Sequence, residues 1–137
     1  MNLDFTLFDN IRSEAEKSPR RRMHYDLRTS SDDTSQRMLN VLMKDTVIPV
    51  HRHNDTSETV IVCRGAVREE FYDAEGNKVS EVVLAAGSGC PGVQVPKGVY
   101  HTCVCLEDGS VIFEAKDRAY DPDGTEDFLG RGDNGKH

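Results

Sequence analysis

The chain of 137 residues is 36% hydrophobic, 30% charged and without Trp, which is apolar material for one small core rather than two. Its 17 Lys and Arg against 24 Asp and Glu leave a formal charge of −7. That field repels phosphate and argues against general binding of nucleic acid or of an anionic membrane surface. The longest nearly apolar stretch, Met38 to Met43, is broken by Asn40 and is far too short to span a bilayer. The opening Met-Asn-Leu-Asp-Phe lacks a basic n-region and an apolar h-region, so a cytoplasmic location is expected.

Residues 3–17 predict a short amphipathic helix, with Leu7, Phe8, Ile11 and Ala15 on one side and Asp4 placed to cap its start. Pro19 and the basic cluster Arg20, Arg21 and Arg22 mark its exit, and a polar link containing Ser30-Ser31-Asp32-Asp33 follows. From Gln36 the texture changes to short runs rich in Val, Ile, Leu, Thr and Tyr. Strands are expected near 37–43, 46–53, 58–64, 66–72, 78–84, 92–96, 99–106 and 110–116. Gly65, Asp73 to Asn77, Gly87 to Gly89, Lys97-Gly98 and Glu107-Asp108-Gly109 separate them. Short strands at this regular spacing predict an antiparallel sandwich or barrel. Ala74-Glu75-Gly76-Asn77 is the clearest hairpin loop, because Gly and Asn tolerate positive φ. The stretch Asp121 to His137 is rich in Gly and Asp, has Phe128 and Leu129 as its few anchors, and reads as a loosely held tail. The expected organisation is a helical arm and basic linker over 1–35, a barrel over 36–120 and a tail over 121–137.

The chemistry concentrates in His51-Arg52-His53, Glu58 and His101. Residues two apart on a strand share a face, so His51 and His53 present two imidazoles side by side. Glu58 opens the next strand after the polar loop Asn54 to Ser57, and an antiparallel return there brings a carboxylate beside both rings. His101 adds a third imidazole from a later strand. Three neutral nitrogens and one carboxylate oxygen suit one divalent transition ion such as Fe, Mn, Ni, Co or Zn. Coordination positions left open by such a set allow chemistry.

The run from His51 to Gly65 has the pattern His-x-His-x4-Glu-x6-Gly, and Pro96-x-Gly98-x2-His101 has the core of a second motif. Together they resemble the two cupin motifs. The resemblance implies a mainly β chain folded as a cupin double-stranded β-helix, an antiparallel jelly-roll barrel, with a short N-terminal helix before it. Further likeness lies in Ser18-Pro19-Arg20, Asp33 with Gln36-Arg37, Cys63-Arg64-Gly65, Val95-Pro96-x-Gly98-Val99-Tyr100-His101-Thr102 and Ala119-Tyr120-Asp121-Pro122. It spans residues 18 to 129 and is similar to the WbuC-type cupin metalloproteins, a bacterial group associated with gene clusters for surface polysaccharide. Two positions depart from the general second motif: Cys105 stands where Asn closes it and Cys90 where Gly opens it. Neither removes a ligand, but Cys105 changes the polarity of that wall.

The four cysteines, Cys63, Cys90, Cys103 and Cys105, read as reduced residues, three of them packing as small hydrophobes. Cys103 and Cys105 share a face with His101 on a regular strand, either as small-volume packing below the site or as a redox-sensitive or soft-metal ligand set. Arg20, Arg21, Arg22 and Arg28, with His24 and Tyr25, form a basic arm whose guanidiniums match a diphosphate or sugar carboxylate. Arg28, Gln36 and Arg64 are the candidate substrate-binding residues, and Glu114 and Tyr120 are the candidate general bases. Tyr100 is expected to point away from the metal.

Three functions remain open at this stage. The resemblance implies a metal-binding cupin that acts on, or binds, a sugar or sugar nucleotide in surface polysaccharide synthesis, with its reaction unassigned; a metal with open positions would support isomerisation, epimerisation or lyase chemistry on such a ligand. The same ligands serve an iron dioxygenase, and they also serve a non-catalytic sugar-binding module. A homodimer paired through sheet edges is expected, since it would cover an edge strand.

Overall fold

A computed structural model describes residues 1–128. Helix α1 (Phe5–Lys17) starts where Asp4 accepts a hydrogen bond from the Leu7 N–H at 3.0 Å, so a carboxylate satisfies an orphan amide of the first turn. Phe8, Ile11 and Ala15 form its buried stripe. Pro19 disfavours helical dihedrals at Ser18, which is extended and ends the helix.

Ten strands follow among the described residues: β1 (Arg22–Asp26), β2 (Gln36–Leu42), β3 (His51–His53), β4 (Glu58–Arg64), β5 (Ala66–Tyr72), β6 (Lys78–Ala85), β7 (Gly92–Val95), β8 (Tyr100–Cys105), β9 (Ser110–Lys116) and β10 (Thr125–Asp127). They form two antiparallel sheets, β1-β2-β9-β4-β7 and β10-β3-β8-β5-β6. This is the expected mainly β jelly roll with one short helix at its N-terminal end. Among the described residues no helix is long and apolar enough to cross a membrane.

Strand β4 lies in the first sheet and β5 in the second, so the chain changes sheets at Gly65. Gly65 has φ +82°, and a Cβ there would stand 2.4 Å from Ser110 Oγ. Both the left-handed backbone and the close approach require glycine.

The apolar core has two parts. Leu42, Val60, Val62, Val67, Leu84 and Ile112 meet between the sheets. Phe8, Ile11, Ala15, Leu39, Val41 and Val111 meet between the first sheet's outer face and α1. Each fully buried Leu, Ile, Val or Phe contributes about 1.5–3 kcal/mol. Strand β2 serves both, since its alternate residues face opposite sides.

Along the strands the barrel interior changes from apolar to polar. Asn40, Ile112 and Val62 stand in one row across β2, β9 and β4; Met38, Glu114 and Val60 in the next; Gln36, Lys116 and Glu58 in the last. The polar end faces β3, whose histidines close the interior from the second sheet.

Three segments differ from the sequence expectation. Residues 46–50 are not strand, because the chain crosses from β2 to the second sheet there and Pro49 has no amide to donate. The basic linker contains β1, which pairs with β2, and Met23 and Tyr25 on it pack beside the helix cluster. Residues 121–127 are not loose: Asp121 caps a short 3₁₀ turn and β10 pairs with β3, setting Thr125 opposite His53. Leu129, the other anchor expected in that stretch, lies outside the described residues.

Candidate metal centre

His51 and His101 are direct cross-strand partners on β3 and β8, and His53 shares the face of His51. All three are buried, at 1%, 1% and 5% exposure for His51, His101 and His53. One ring nitrogen of each lies within 4.8 Å of those of the other two. Ring centroids stand 4.5 Å apart for His51 and His101 and 5.0 Å for His51 and His53.

Each ring is held by its Nδ1. His51 Nδ1 is 2.8 Å from the Pro49 carbonyl, which only accepts, so Nδ1 carries the hydrogen. His53 Nδ1 is 3.2 Å from Thr125 Oγ1, and that hydroxyl donates to the Asp121 carbonyl at 3.3 Å. Thr125 therefore holds the His53 ring on its Nδ1 side. His101 Nδ1 is 2.6 Å from Glu69 Oε1. The carbonyl at His51 and the carboxylate at His101 place the proton on Nδ1 and leave Nε2 with its lone pair, as metal-binding imidazoles require.

Burial holds the pKa of His51 well below the ordinary histidine value, and the neighbouring His101 and His53 push the same way. Burial also lowers that of His53, against the pull of Glu58. At His101 burial opposes the charge, but the Glu69 hydrogen bond and the Glu58 and Glu69 charges outweigh it, and the net shift is upward.

Glu58 stands beside the trio rather than within it. Its Oε2 lies 3.2 Å from His53 Nε2 and 3.4 Å from Lys116 Nζ. Glu58, Glu69 and Glu114 are all at 2% exposure or less, and Lys116 at 7%. Among the described residues, Glu69 Oε2 and Glu114 Oε2 have no hydrogen-bond donor. Burial, followed by the charge of Glu58, pushes the Glu114 carboxyl up to about 8. Glu114 is thus held protonated near neutral pH, while Glu58 and Glu69 bring two carboxylates among the imidazoles, where a buried charge without a partner is strongly unfavourable. A divalent cation would partner those carboxylates, so the donor set fits a metal.

A small cleft opens over His53, lined by Thr56, Lys116, Arg118, Tyr120, Asp121 and Thr125. Of the residues singled out in the sequence, Tyr120 lines this cleft. Gln36 is buried and accepts the Tyr120 N–H at 2.7 Å, so it fixes the segment rather than facing solvent. Glu114 lies one row deeper and does not line the cleft. Arg28 is held by Asp26 at 3.0 Å. Arg64 is the clearest departure. It turns outward, pairs with Asp9 of α1 at 2.7 Å and covers the Phe5 ring at 4.8 Å. A bulge between Val62 and Arg64 shifts the register, so the side chain that strict alternation would point inward faces the helix.

Tyr100 points outward as expected, its hydroxyl 3.3 Å from Glu126 and its ring under Arg52. All four cysteines are free. Cys103 and Cys105 sit in the apolar core below the histidines, and burial raises the pKa of each thiol, most strongly at Cys103.

Sequence reasoning missed Glu69, Lys116 and Thr125. Strand alternation from Val67 pointed Glu69 inward, and alternation from Ile112 did the same for Lys116. Thr125 had no such signal, being in a segment taken as tail.

Comparison with solved structures shows the fold. The capsular polysaccharide assembling protein CapF of Staphylococcus aureus aligns with TM-score 0.59 and 20% identity over 67% of this chain and 26% of CapF. KdgF from Halomonas sp. aligns with TM-score 0.58 and 19% identity over 77% of this chain and 86% of that one. Oxalate decarboxylase from Bacillus subtilis aligns with TM-score 0.59 and 15% identity over 77% of this chain and 27% of that one. This chain thus spans about a quarter of the length of CapF and of the decarboxylase. These are cupin-fold proteins. No curated protein sequence matches. A family model described as a domain of unknown function, DUF6016, matches residues 3–84. That is more than half of the chain, which has a cupin-like fold and belongs to the DUF6016 family.

Proposed function

We propose that this chain is a metal-dependent cupin of the WbuC type, in which His51, His53 and His101, with Glu58, hold one divalent transition ion. Its ligand is a sugar or sugar nucleotide of bacterial surface polysaccharide synthesis. The observation that carries this reading is the convergence of three imidazole nitrogens within 4.8 Å beneath a cleft, each ring anchored through its Nδ1 by a different partner. CapF is a capsular polysaccharide assembling protein, which supports the choice of ligand class.

Such an ion polarises a carbonyl or hydroxyl and acidifies bound water. The chain's own part is to keep the rings neutral and aimed and to exclude water from the interior. Tyr120 at the cleft and Glu114 below it are the side chains available to hold or move a proton near the ligand. A homodimer belongs to the same proposal: β6 is the outer strand of its sheet, and its Val79 and Val83 are exposed.

Metal analysis of protein purified without chelator tests the reading. One ion per chain is expected, and His53→Ala or His101→Ala should remove most of it. Unchanged stoichiometry in both variants overturns the assignment. Turnover of nucleotide sugars under anaerobic conditions then separates isomerase-type chemistry from substrate-dependent O₂ uptake, and light scattering reads the dimer.

A further inference from the structure

The cleft over His53 has a charge pattern that says more about its ligand. Lys116 reaches it from inside: its side chain is 2% exposed, and Nζ lies 3.4 Å from Glu58 Oε2. Arg118, two residues on, reaches it from outside. It is exposed, and among the described residues it makes no hydrogen bond or ion pair. A long cationic side chain at a cleft in an acidic protein ordinarily finds a carboxylate to pair with, and Arg118 does not.

Two acidic side chains, Asp55 and Asp121, also line the cleft. Asp121 Oδ1 accepts the Asp123 N–H at 2.9 Å, which leaves its carboxylate further acceptor capacity. Thr56 and Tyr120 add hydroxyls. Cations at the inner and outer walls attract an anion, whereas the flanking carboxylates repel a dianion and accept hydrogen bonds from hydroxyl groups.

We propose that this cleft selects a hydroxylated monocarboxylate, a sugar acid rather than a neutral sugar or a phosphate ester, with Arg118 holding its carboxylate in a planar fork above His53 and Lys116. The inference rests on the sugar-ligand reading above and narrows it. Arg118 is a specificity residue here, and the metal ligands are independent of it.

The test is calorimetric titration of D-glucuronate, D-glucose and inorganic phosphate into the full chain, metal-loaded, as wild type, Arg118→Gln and Arg12→Gln. Arg12 lies on α1 and controls for the loss of one positive charge. Saturable binding of glucuronate is expected in wild type and in Arg12→Gln, at least about tenfold weaker in Arg118→Gln, with equal metal content in all three. Glucose or phosphate binding as tightly as glucuronate overturns the proposal, as does an unchanged affinity in Arg118→Gln or no saturable binding of glucuronate. Should the wild type take up no metal, the metal reading fails separately, and the same titrations on that protein still decide the anion preference.

Discussion

Glu69 Oε1 lies 2.6 Å from His101 Nδ1, and both side chains are buried. The contact joins β5 to β8 inside the barrel and gives one of the three imidazoles a charged partner. The other two rings lean on neutral oxygens, those of Pro49 and Thr125. An ionised carboxylate on Nδ1 makes Nε2 a better donor to a cation and fixes the ring's rotation. Glu69→Gln keeps a carbonyl oxygen that accepts from Nδ1 but removes the charge. Metal affinity, read by competition with a chromophoric chelator, should fall by about tenfold or more, with the circular dichroism spectrum unchanged. Equal affinity in the variant would show that Glu69 does not tune the site.

Glu114 gives a pH dependence with a definite sign. Its folded-state pKa is raised from 4.5 to about 8, first by burial and then by the Glu58 charge. The folded state therefore holds a proton that the unfolded chain releases above pH 4.5. Stability is highest below that value and falls as the pH rises through the window up to about 8. Glu114→Gln removes this contribution. In metal-free protein the urea midpoint of the variant, compared with wild type, should be higher at pH 8.5 than at pH 5.5. A constant difference across that range would mean that Glu114 ionises no differently in the two states.

The motif spacing made the histidine cluster legible before the fold, because its members are tied to local geometry. Two histidines two apart on a strand share a face whatever the topology. Gly98 before His101 takes φ +79°, and its amide donates to the His53 carbonyl at 2.8 Å, joining the two halves. What stayed hidden depends on distant partners. Glu69 sits in the charged run Arg68-Glu69-Glu70, where alternation from Val67 points it inward but nothing local shows that β5 pairs with β8 beside His101. Arg64 fails for the opposite reason, since one bulge reverses the parity that sequence reading assumes. Strand β1 was masked by three consecutive arginines, whose composition signals a linker, although half-buried Met23 and Tyr25 alternate with exposed His24 and Asp26. The cleft depends on β10, whose acidic residues carry no strand signal; the pairing partner, β3, supplies the order.

The cysteines should separate by burial. Cys90 is exposed, Cys63 half-buried, and Cys103 and Cys105 are buried. Burial raises the pKa of Cys63, Cys103 and Cys105, so their thiols are poor nucleophiles near neutral pH. Alkylation of the native protein, followed by peptide mass spectrometry, should modify Cys90 rapidly and leave Cys103 intact until denaturant is added. Fast native labelling of Cys103 would argue for an open interior and against packing as its role.

Gly65 and Gly87 allow the two demands on a motif glycine to be measured apart. Both have positive φ, +82° and +73°, so alanine at either costs about 1–2 kcal/mol of backbone strain. Only Gly65 also meets a neighbour: its Cβ would fall 2.4 Å from Ser110 Oγ and 3.0 Å from the Ser110 Cα, whereas nothing lies within 4 Å of a Cβ at Gly87. Ser110 cannot swing away freely, because its hydroxyl donates to the Glu107 carbonyl at 2.7 Å and accepts the Ala66 N–H at 3.1 Å. Overpacking of this kind adds about 1–3 kcal/mol. Gly65→Ala should therefore lower the melting temperature by about 10 °C and Gly87→Ala by about half as much. Equal shifts would mean that the sheet-changing corner needs only the backbone angle, and that the contact with Ser110 is dispensable.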